Sequence, residues 1–322
     1  MRLVILDSYA LQPGDLDWSP LYDMVQNVTE YPRTPYSEII DRIGDAELVI
    51  VNKCKIDEAI LQACPNIKWV GVTATGTDSL DIVACQKHNV AVANVPSYST
   101  NAVAQLTFGL LLNGCQQIMQ HNQVVRKGYW QLDVPQELQP HTAIELMGKT
   151  LGIIGYGEIG RKVARFAKAF DMKVLVYTKT PEKYKQDTSI EFVSLEQLLT
   201  QSDVISLHCP STEQTYHIIN EKTISQMKPR VVLLNTARGA LICEQDLLSA
   251  LQQGKISFYG TDVSETEPTP VDSLLRKLPN VLLTPHIAWT TPEALQRLSQ
   301  CVCENLQSFL QGNPRNIVNG VK

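Results

Sequence analysis

Short apolar runs alternate with amphipathic segments along almost the whole chain. In the first hundred residues, four runs are continuously apolar: RLVILD (2–7), LVIVN (48–52), IKWVGV (67–72) and VAVANV (90–95). Continuous apolar runs are typical of parallel strands that are buried on both faces of a sheet. The segments 35–46 and 56–64 between them have apolar spacing suited to helices. The pattern predicts a first lobe built of βα units.

A second βα series begins near residue 151. Its predicted strands are 151–155, 173–178, 203–209, 231–237, 257–263 and 281–286. Its predicted helices are 158–170, 194–201 and 244–253. Six strands with intervening helices predict an α/β fold with a doubly wound parallel sheet.

Two longer helical patterns flank this second series. The first runs from residue 101 to about 126, and a looser segment with Pro135 and Pro140 follows it. The second begins at Thr291-Pro292-Glu293, a favourable helix N-terminus with proline in the first turn, and ends near Gly312.

We expect the chain to return to the first lobe with this last helix. The predicted first domain is therefore discontinuous and consists of residues 1–98 and 293–322. The predicted second domain covers residues 99–292.

Composition narrows the class of protein. The chain has 322 residues, of which 44% are hydrophobic and 19% charged, as in ordinary globular proteins. Its net charge of −5 shows no excess of basic residues that would attract a polyanion, so neither nucleic acid nor a membrane is an expected partner. The apolar start is too short for a signal peptide, and the eight cysteines are scattered, which favours a reducing, cytoplasmic setting. Cys301 and Cys303 have no neighbouring ligands at metal-site spacing, so no metal is expected.

A glycine-rich turn opens the second series. In the stretch LGIIGYGEIGRKVARFAKAF, the turn consists of Gly155, Tyr156, Gly157, Glu158, Ile159 and Gly160. A G-x-G-x-x-G pattern between a strand and an amphipathic helix indicates a dinucleotide site, because main-chain amides and the helix N-terminus can face a pyrophosphate. The alternative is that the glycines only shape a turn that binds no ligand.

The next strand bears on the choice between NAD and NADP. A carboxylate about 20 residues after the turn usually binds the ribose 2′-hydroxyl of NAD. The sequence has Thr178, Lys179 and Thr180 there instead. A hydroxyl beside a cation suits a 2′-phosphate better, so we expect NADP over NAD, with use of both still open. The alternative is that Lys179 is merely solvated.

Three polar residues follow strands of the second series. They are Arg238, Glu267 and His286. Taken singly, each has a structural explanation: a surface ion pair, a solvated loop acid and a strand cap. Ligands of open α/β sheets bind beyond the carboxyl ends of the strands, so together the three residues indicate a catalytic site there.

These side chains suit the reduction of a 2-oxo acid. Imidazole titrates near neutral pH, so His286 is the expected proton donor to the carbonyl oxygen. A neighbouring Glu267 carboxylate would stabilise the protonated ring and fix its tautomer. Arg238 could bind the substrate carboxylate through paired N–H donors.

At this point the chain resembles the D-isomer-specific 2-hydroxyacid dehydrogenase family, and within it the glycerate dehydrogenase/hydroxypyruvate reductase branch. The resemblance covers nearly the full length. Its motifs are VNK (51–53), TATGTDSLD (73–81), VPSYSTNAVAQ (95–105), HCPSTEQT (208–215), NTARGAL (235–241), DVSETEP (262–268) and PHIAWTT (285–291), besides the glycine turn.

The resemblance implies two Rossmann-like lobes: a flavodoxin-like substrate lobe and a dinucleotide-binding lobe. It implies Arg238, Glu267 and His286 as the catalytic trio. It also implies that the main chain around Ala74, Thr75 and Gly76 holds the substrate carboxylate, with Asn52 and Lys53 in the same cleft. Further cofactor contacts are implied for Cys209, Pro210, Thr215, Thr236, Ala237, Asp262 and Ala288, with Arg238 and His286 also beside the nicotinamide.

The expected activity is NAD(P)-dependent reduction of hydroxypyruvate or glyoxylate to the D-2-hydroxy acid. The family is commonly dimeric, so we expect a homodimer through helix 101–126 and the following loop. Departures from the family pattern are Thr178, Ser264 in place of an aromatic residue, and Gln105 in place of an acid. Two alternatives stay open: a dinucleotide-sensing binding protein like the corepressors of this fold, and a dehydrogenase of a bulkier 2-oxo acid.

Overall fold

The computed structural model describes residues 1–11, 18–130 and 143–321. Its strands are β1 (Arg2–Ile5), β2 (Asn27–Glu30), β3 (Leu48–Val51), β4 (Trp69–Val72), β5 (Ala91–Ala93), β6 (Thr150–Ile154), β7 (Lys173–Tyr177), β8 (Glu191–Phe192), β9 (Val204–Leu207), β10 (Val231–Asn235), β11 (Ile256–Thr261) and β12 (Val281–Leu283). Its α-helices are α1 (Ser19–Met24), α2 (Ile39–Ile43), α3 (Glu58–Ala63), α4 (Ile82–Lys87), α5 (Thr100–Gln116), α6 (Ile118–Arg126), α7 (Glu158–Ala169), α8 (Leu195–Gln201), α9 (Glu221–Gln226), α10 (Glu244–Gln252) and α11 (Pro292–Leu310).

These elements form two compact units in the described part of the chain. Unit 1 consists of Met1–Ser99 and Trp289–Lys322, and unit 2 consists of Thr100–Ala288. None of the described helices is long and apolar enough to span a membrane.

Unit 1 contains a parallel sheet with five strands among the described residues, in the order β2-β1-β3-β4-β5. This is the strand order of flavodoxin-like folds, so the predicted fold class of the first lobe is confirmed. The strands β3, β4 and β5 are buried throughout, as their continuous apolar sequences predict. The sequence pattern missed β2, because NVTE is a partly exposed edge strand with no apolar run.

The C-terminal helix belongs to unit 1. Thr291 accepts a hydrogen bond from the N–H of Ala294 and so caps the helix where the sequence predicts its start. The helix packs on α1 and β4, and the ring of Phe309 lies 6.1 Å from that of Trp69.

Unit 2 contains a parallel sheet with seven strands among the described residues, in the order β12-β11-β10-β9-β6-β7-β8. Its centre is the doubly wound dinucleotide-binding arrangement, in which the strand order reverses between the parallel neighbours β6 and β9. Apolar cores cover both faces of this sheet. The short edge strand β8 and helix α9 were not predicted, because each has only a few apolar residues.

The single predicted helix over 101–126 is wrong in one respect. The structure has α5 and α6 instead, separated at Gln117, whose backbone φ angle is 50°. The carboxamide oxygen of Asn113 accepts a hydrogen bond from the N–H of Met119 and thereby starts the second helix. Side chain–main chain bonds of this kind compete with a continuous helix. Part of the loop predicted to follow, including Pro135 and Pro140, lies outside the described residues.

Candidate active site

The glycine turn joins β6 to α7 in unit 2. Gly155 has a φ of 100°, and a Cβ atom there would lie 2.6 Å from the main-chain nitrogen of Cys209. At Gly160 a Cβ atom would overlap the carbonyl oxygen of Gly155. Close packing therefore requires both glycines. Gly155 lets the turn pack on the end of β9, and Gly160 lets helix α7 pack on the turn.

Gly157 differs from the other two glycines. A Cβ atom at this position would meet no heavy atom within 4 Å. Gly157 also precedes the 12-residue helix α7, and in the described residues no side chain caps this N-terminus. The first N–H groups of a helix lack partners within the helix and attract anions. The turn thus fits the pyrophosphate of a dinucleotide.

The side chains of the turn have other roles. Tyr156 is buried against the rings of Tyr184 and Phe192, and its hydroxyl donates to Asp187 at 2.7 Å. Burial raises the pKa of the Tyr156 phenol. Tyr156 therefore has its main chain, and not its side chain, left for a cofactor.

The two other side chains in the turn also contact protein. Glu158 forms an ion pair with Arg161 on the helix surface. Ile159 packs against one of the two cores of unit 2. These positions can therefore offer main-chain N–H groups, rather than side chains, to a bound phosphate.

The end of β7 carries the residues predicted to select the cofactor. Thr178 and Thr180 are half-buried, whereas Lys179 is exposed. The Lys179 ammonium donates to the carboxamide oxygen of Gln214 at 2.5 Å. Lys179 is therefore placed beside the loop that follows β9.

That loop, residues 209–215, is organised by Thr215. The buried Thr215 hydroxyl donates to the carbonyl oxygen of Pro210 at 2.7 Å and accepts from the N–H of Thr212 at 2.8 Å. Burial raises the pKa of the Cys209 thiol to about 11, although the charge of Lys179 opposes this. Thr215 shapes the loop, whereas Cys209 and Pro210 start it at the end of β9.

The predicted catalytic residues follow three neighbouring strands. Strands β10, β11 and β12 are parallel and adjacent, with Asn235 beside Thr261 and Thr261 beside Leu283. Their carboxyl ends therefore lie at one edge of the sheet. Arg238, Glu267 and His286 come after these ends in the sequence.

His286 and Glu267 form a direct pair. The His286 Nδ1 atom lies 2.7 Å from the Glu267 Oε2 atom, and both side chains are about one-third exposed. The other carboxylate oxygen of Glu267 accepts from the N–H of Ser264 at 3.3 Å. The Ser264 hydroxyl donates to the carbonyl oxygen of Thr266 and lies 2.6 Å from the hydroxyl of Thr269. The serine that departs from the family pattern therefore ties this loop together.

The loop of His286 is held by Asp262. This carboxylate is buried and accepts from the hydroxyl of Thr284 at 2.6 Å and from the N–H groups of Ile287 and Ala288 at 2.9 and 2.8 Å. The loop is unusual because His286 has a φ of 56°, which non-glycine residues rarely adopt. Asp262 and Ala288, both predicted as cofactor contacts, therefore also fix the histidine in place.

Arg238 lies on the neighbouring loop. Its guanidinium donates to the carbonyl oxygen of Ala237 at 2.8 Å, and its own carbonyl oxygen accepts from the Asn235 side chain at 2.8 Å. The next residue, Gly239, lies directly against the peptide of Ser264 and Glu265, where a Cβ atom would overlap it. The loops that carry Arg238 and Glu267 are thus packed on each other.

The residues before Arg238 are also fixed. The buried hydroxyl of Thr236 lies 2.9 Å from that of Thr107 on α5. The N–H of Ala237 donates to the Asn235 carboxamide oxygen at 3.0 Å. Asn235 therefore holds both ends of this short turn, a role that the sequence pattern did not indicate.

In unit 1, the predicted substrate residues follow β3 and β4. The Asn52 carboxamide nitrogen donates to the carbonyl oxygen and the hydroxyl of Thr73, both at 2.9 Å. Lys53 is exposed. The turn they form is held by Asp7, which the motif analysis did not single out, although it is an acid at the end of an apolar strand.

In the segment Ala74–Gly76, the carbonyl groups of Ala74 and Thr75 accept hydrogen bonds. The carbonyl oxygen of Ala74 accepts from the N–H of Val95 at 2.9 Å, and that of Thr75 accepts from the Asn94 side chain at 2.8 Å. In the described part of the chain, the N–H groups of Ala74, Thr75 and Gly76 donate to no protein acceptor. Successive N–H groups of this kind can bind an anion.

Comparison with known proteins gives relatives along the full length. Residues 108–288 match the family described as D-isomer specific 2-hydroxyacid dehydrogenase, NAD binding domain. A hydroxypyruvate reductase of Blautia hydrogenotrophica is 42% identical over 99% of this chain and 100% of its own. A glyoxylate reductase of Korarchaeum cryptofilum is 38% identical over 87% and 85% of the two chains.

A solved structure has the same fold over the same span. It is an acyclic imino acid reductase in complex with NADPH and D-Arg, with a TM-score of 0.87, 31% identity and coverage of 99% of this chain and 100% of its own. Together with the relatives and the matched family, this likeness agrees with the motifs and the strand order. The chain belongs to the D-isomer-specific 2-hydroxyacid dehydrogenase family.

Proposed function

We propose that the protein reduces small 2-oxo acids, hydroxypyruvate or glyoxylate, to the D-2-hydroxy acids with a nicotinamide dinucleotide. The observation that carries this proposal is the 2.7 Å pair of His286 and Glu267 in a loop beyond the carboxyl ends of the strands. The relatives named hydroxypyruvate reductase and glyoxylate reductase support the substrate class.

His286 is the proposed proton donor. A carboxylate can only accept a hydrogen bond, so the proton of the pair belongs to Nδ1 of His286. The proton that His286 gives to the substrate oxygen is therefore the one on Nε2. In the reverse reaction, the same Nε2 atom takes the hydroxyl proton of the 2-hydroxy acid.

Charged and polar groups are proposed to bind the substrate carboxylate. Arg238 has planar N–H donors that suit a carboxylate. In unit 1, the N–H groups of Ala74, Thr75 and Gly76 have no protein acceptor in the described residues and are proposed as further donors. Asn52 and Lys53 stay predicted substrate contacts.

The bound nicotinamide dinucleotide would supply the hydride that reaches the carbonyl carbon. Gly157 and the first turn of α7 are proposed to hold its pyrophosphate. The residues Thr178, Lys179 and Thr180 are proposed to favour NADP over NAD, because a cation and two hydroxyls suit a phosphate better than a ribose hydroxyl. The loop 209–215 and the residues Thr236, Ala237, Asp262 and Ala288 are the other proposed cofactor neighbours.

A matrix of substrates and cofactors tests this proposal. The kcat/KM would be measured for hydroxypyruvate, glyoxylate, pyruvate and a branched 2-oxo acid, each with NADPH and NADH. We expect hydroxypyruvate and glyoxylate to be the better substrates. Tight binding of the cofactor without turnover of any 2-oxo acid would contradict the proposal and favour a dinucleotide-sensing protein.

We also propose a homodimer that forms through unit 2. The support is a set of exposed apolar side chains on and near α6, namely Ile118, Met119, Val125 and Trp130. Exposed apolar patches mark interaction surfaces. Sedimentation velocity of the wild type and of Met119→Glu would test this, and a wild-type monomer would contradict it.

A further inference from the structure

Asp7 gathers three successive main-chain N–H groups. Its Oδ1 atom accepts from Asn52 at 2.7 Å, and its Oδ2 atom accepts from Lys53 at 2.5 Å and Cys54 at 2.9 Å. Asp7 lies just after β1, and Asn52 lies just after the neighbouring parallel strand β3. The carboxylate is almost fully buried.

These bonds define the conformation of the turn after β3. Three consecutive N–H groups point to one side of the chain only in a tight turn, and the negative charge of Asp7 favours that turn. Without the carboxylate, three donors in a partly buried place would lose their acceptor, which is costly. Burial, together with the charge of Asp7, also raises the pKa of the Cys54 thiol to about 12, so this thiol stays protonated near neutral pH.

The turn is connected to the second predicted substrate segment. The side chain of Asn52 donates to the carbonyl oxygen and the hydroxyl of Thr73, the residue before Ala74. The Ser79 hydroxyl donates to the carbonyl oxygen of Asn52 at 3.5 Å. A shift of the turn would therefore move Asn52 and also the start of the segment Ala74–Gly76.

We propose that Asp7 is a positioning residue for substrate binding. It fixes the main chain of Asn52 and Lys53 and, through Asn52, the donors of Ala74–Gly76, without contacting the substrate itself. This inference rests on the proposed function, because it assumes that these segments bind the carboxylate of a 2-oxo acid. Among the described residues, the hydrogen bonds that link Asp7, Asn52, Thr73 and Ser79 all lie within unit 1.

The variants Asp7→Ala and Asp7→Asn test the inference, with Asp81→Ala as the matched control. Asp81 is another unit 1 aspartate whose carboxylate accepts a main-chain N–H, that of Ala84 at 2.9 Å, but it caps α4. The measurements are kcat and KM for hydroxypyruvate, the inhibition constant of oxalate as an inert carboxylate probe, and the Kd of NADPH from protein fluorescence.

For Asp7→Ala we expect KM and the oxalate constant to rise about tenfold or more, because the donors that Asp7 positions would be displaced and lose charge-assisted hydrogen bonds to the bound carboxylate. The Kd of NADPH should stay within about twofold, because α7 and its turn are intact. Asp7→Asn keeps one acceptor oxygen and should lie between Asp7→Ala and the wild type. Asp81→Ala should lower the thermal midpoint but leave KM and the oxalate constant unchanged.

Unchanged oxalate binding in a folded Asp7 variant would overturn the inference, and so would an equal rise in Asp81→Ala. If Asp7→Ala does not fold, the oxalate constant of Asp7→Asn decides. A different result would contradict the proposed function itself, namely that the wild-type enzyme turns over no 2-oxo acid.

Discussion

Gly239 lies so close to the peptide group of Ser264 that no side chain would fit between them. The contact joins two loops that are far apart in sequence. One loop carries Arg238, and the other carries Glu267. The relative position of the guanidinium and the carboxylate is therefore set by a main-chain contact, and not only by the conformations of the two side chains.

Gly239→Ala should separate these loops. The added methyl group overlaps the Ser264 peptide, and overpacking of this kind costs about 1–3 kcal/mol of unfolding free energy. We expect kcat/KM to fall about tenfold or more, because small displacements of catalytic groups are expensive. Steady-state kinetics and denaturant unfolding would measure both effects.

Gly109→Ala is the control, because a Cβ atom there meets nothing within 4 Å. This change within a helix should stabilise the protein by about 0.5–1 kcal/mol. A fully active Gly239→Ala enzyme would show that the contact does not matter.

His286→Asn should remove the proposed proton donor. General acid–base catalysis contributes about 10²–10⁴-fold, so kcat/KM for hydroxypyruvate should fall by that factor. The control is His217→Asn, because His217 pairs with Glu265 at 2.9 Å in the same unit. That second histidine–glutamate pair is not part of the proposed chemistry, and its loss should change kcat/KM by less than about threefold. Equal losses in both variants would refute the assignment of His286.

Much of the fold follows from the sequence, because buried parallel strands have continuous apolar runs. The runs 48–52 and 231–237 contain β3 and β10, each buried along its whole length. Strands β2 and β8 have no continuous apolar run, because they lie at sheet edges and are short or polar, and so they were not predicted. The break at Gln117 was also missed, because a helical pattern continues on both sides of it, and the bond that Asn113 accepts from Met119 at the break depends on the folded structure.

The candidate site was predictable where residues follow strand ends, as His286 does after β12. The supporting carboxylates were harder to assign. Asp7 and Asn52 are 45 positions apart, and Asp262 and Ala288 are 26 apart. A linear pattern does not contain these contacts, because they depend on which strands are neighbours in the sheet. In both cases the clue was an acid at the end of an apolar strand.

Cys209 should report on cofactor binding without any turnover. Its pKa is raised to about 11 by burial, so the reactive thiolate is scarce at neutral pH. Because the thiolate is the reactive form, the rate of alkylation by iodoacetamide should be low at pH 7 and should rise about tenfold per pH unit towards pH 11. NADPH should slow the reaction further if the loop 209–215 contacts the cofactor. Mass spectrometry of labelled peptides would measure this, with the half-buried Cys243 as the thiol that NADPH should not protect. Rapid labelling of Cys209 at pH 7 in the folded enzyme would contradict the raised pKa of its thiol.

Lys179 should govern the choice between NADPH and NADH. Its ammonium is held by Gln214 at the end of β7, and no acid occupies positions 178–180 to bind a ribose hydroxyl. Lys179→Met removes a positive charge, which acts on the doubly charged 2′-phosphate far more than on a neutral hydroxyl. We expect kcat/KM with NADPH to fall about tenfold and kcat/KM with NADH to change less than about twofold. Lys173→Met is the control, because Lys173 is an exposed lysine at the opposite end of the same strand. The ratio of the two kcat/KM values separates a change of cofactor preference from a general loss of activity. An equal loss with both cofactors would mean that Lys179 does not contact the 2′-phosphate.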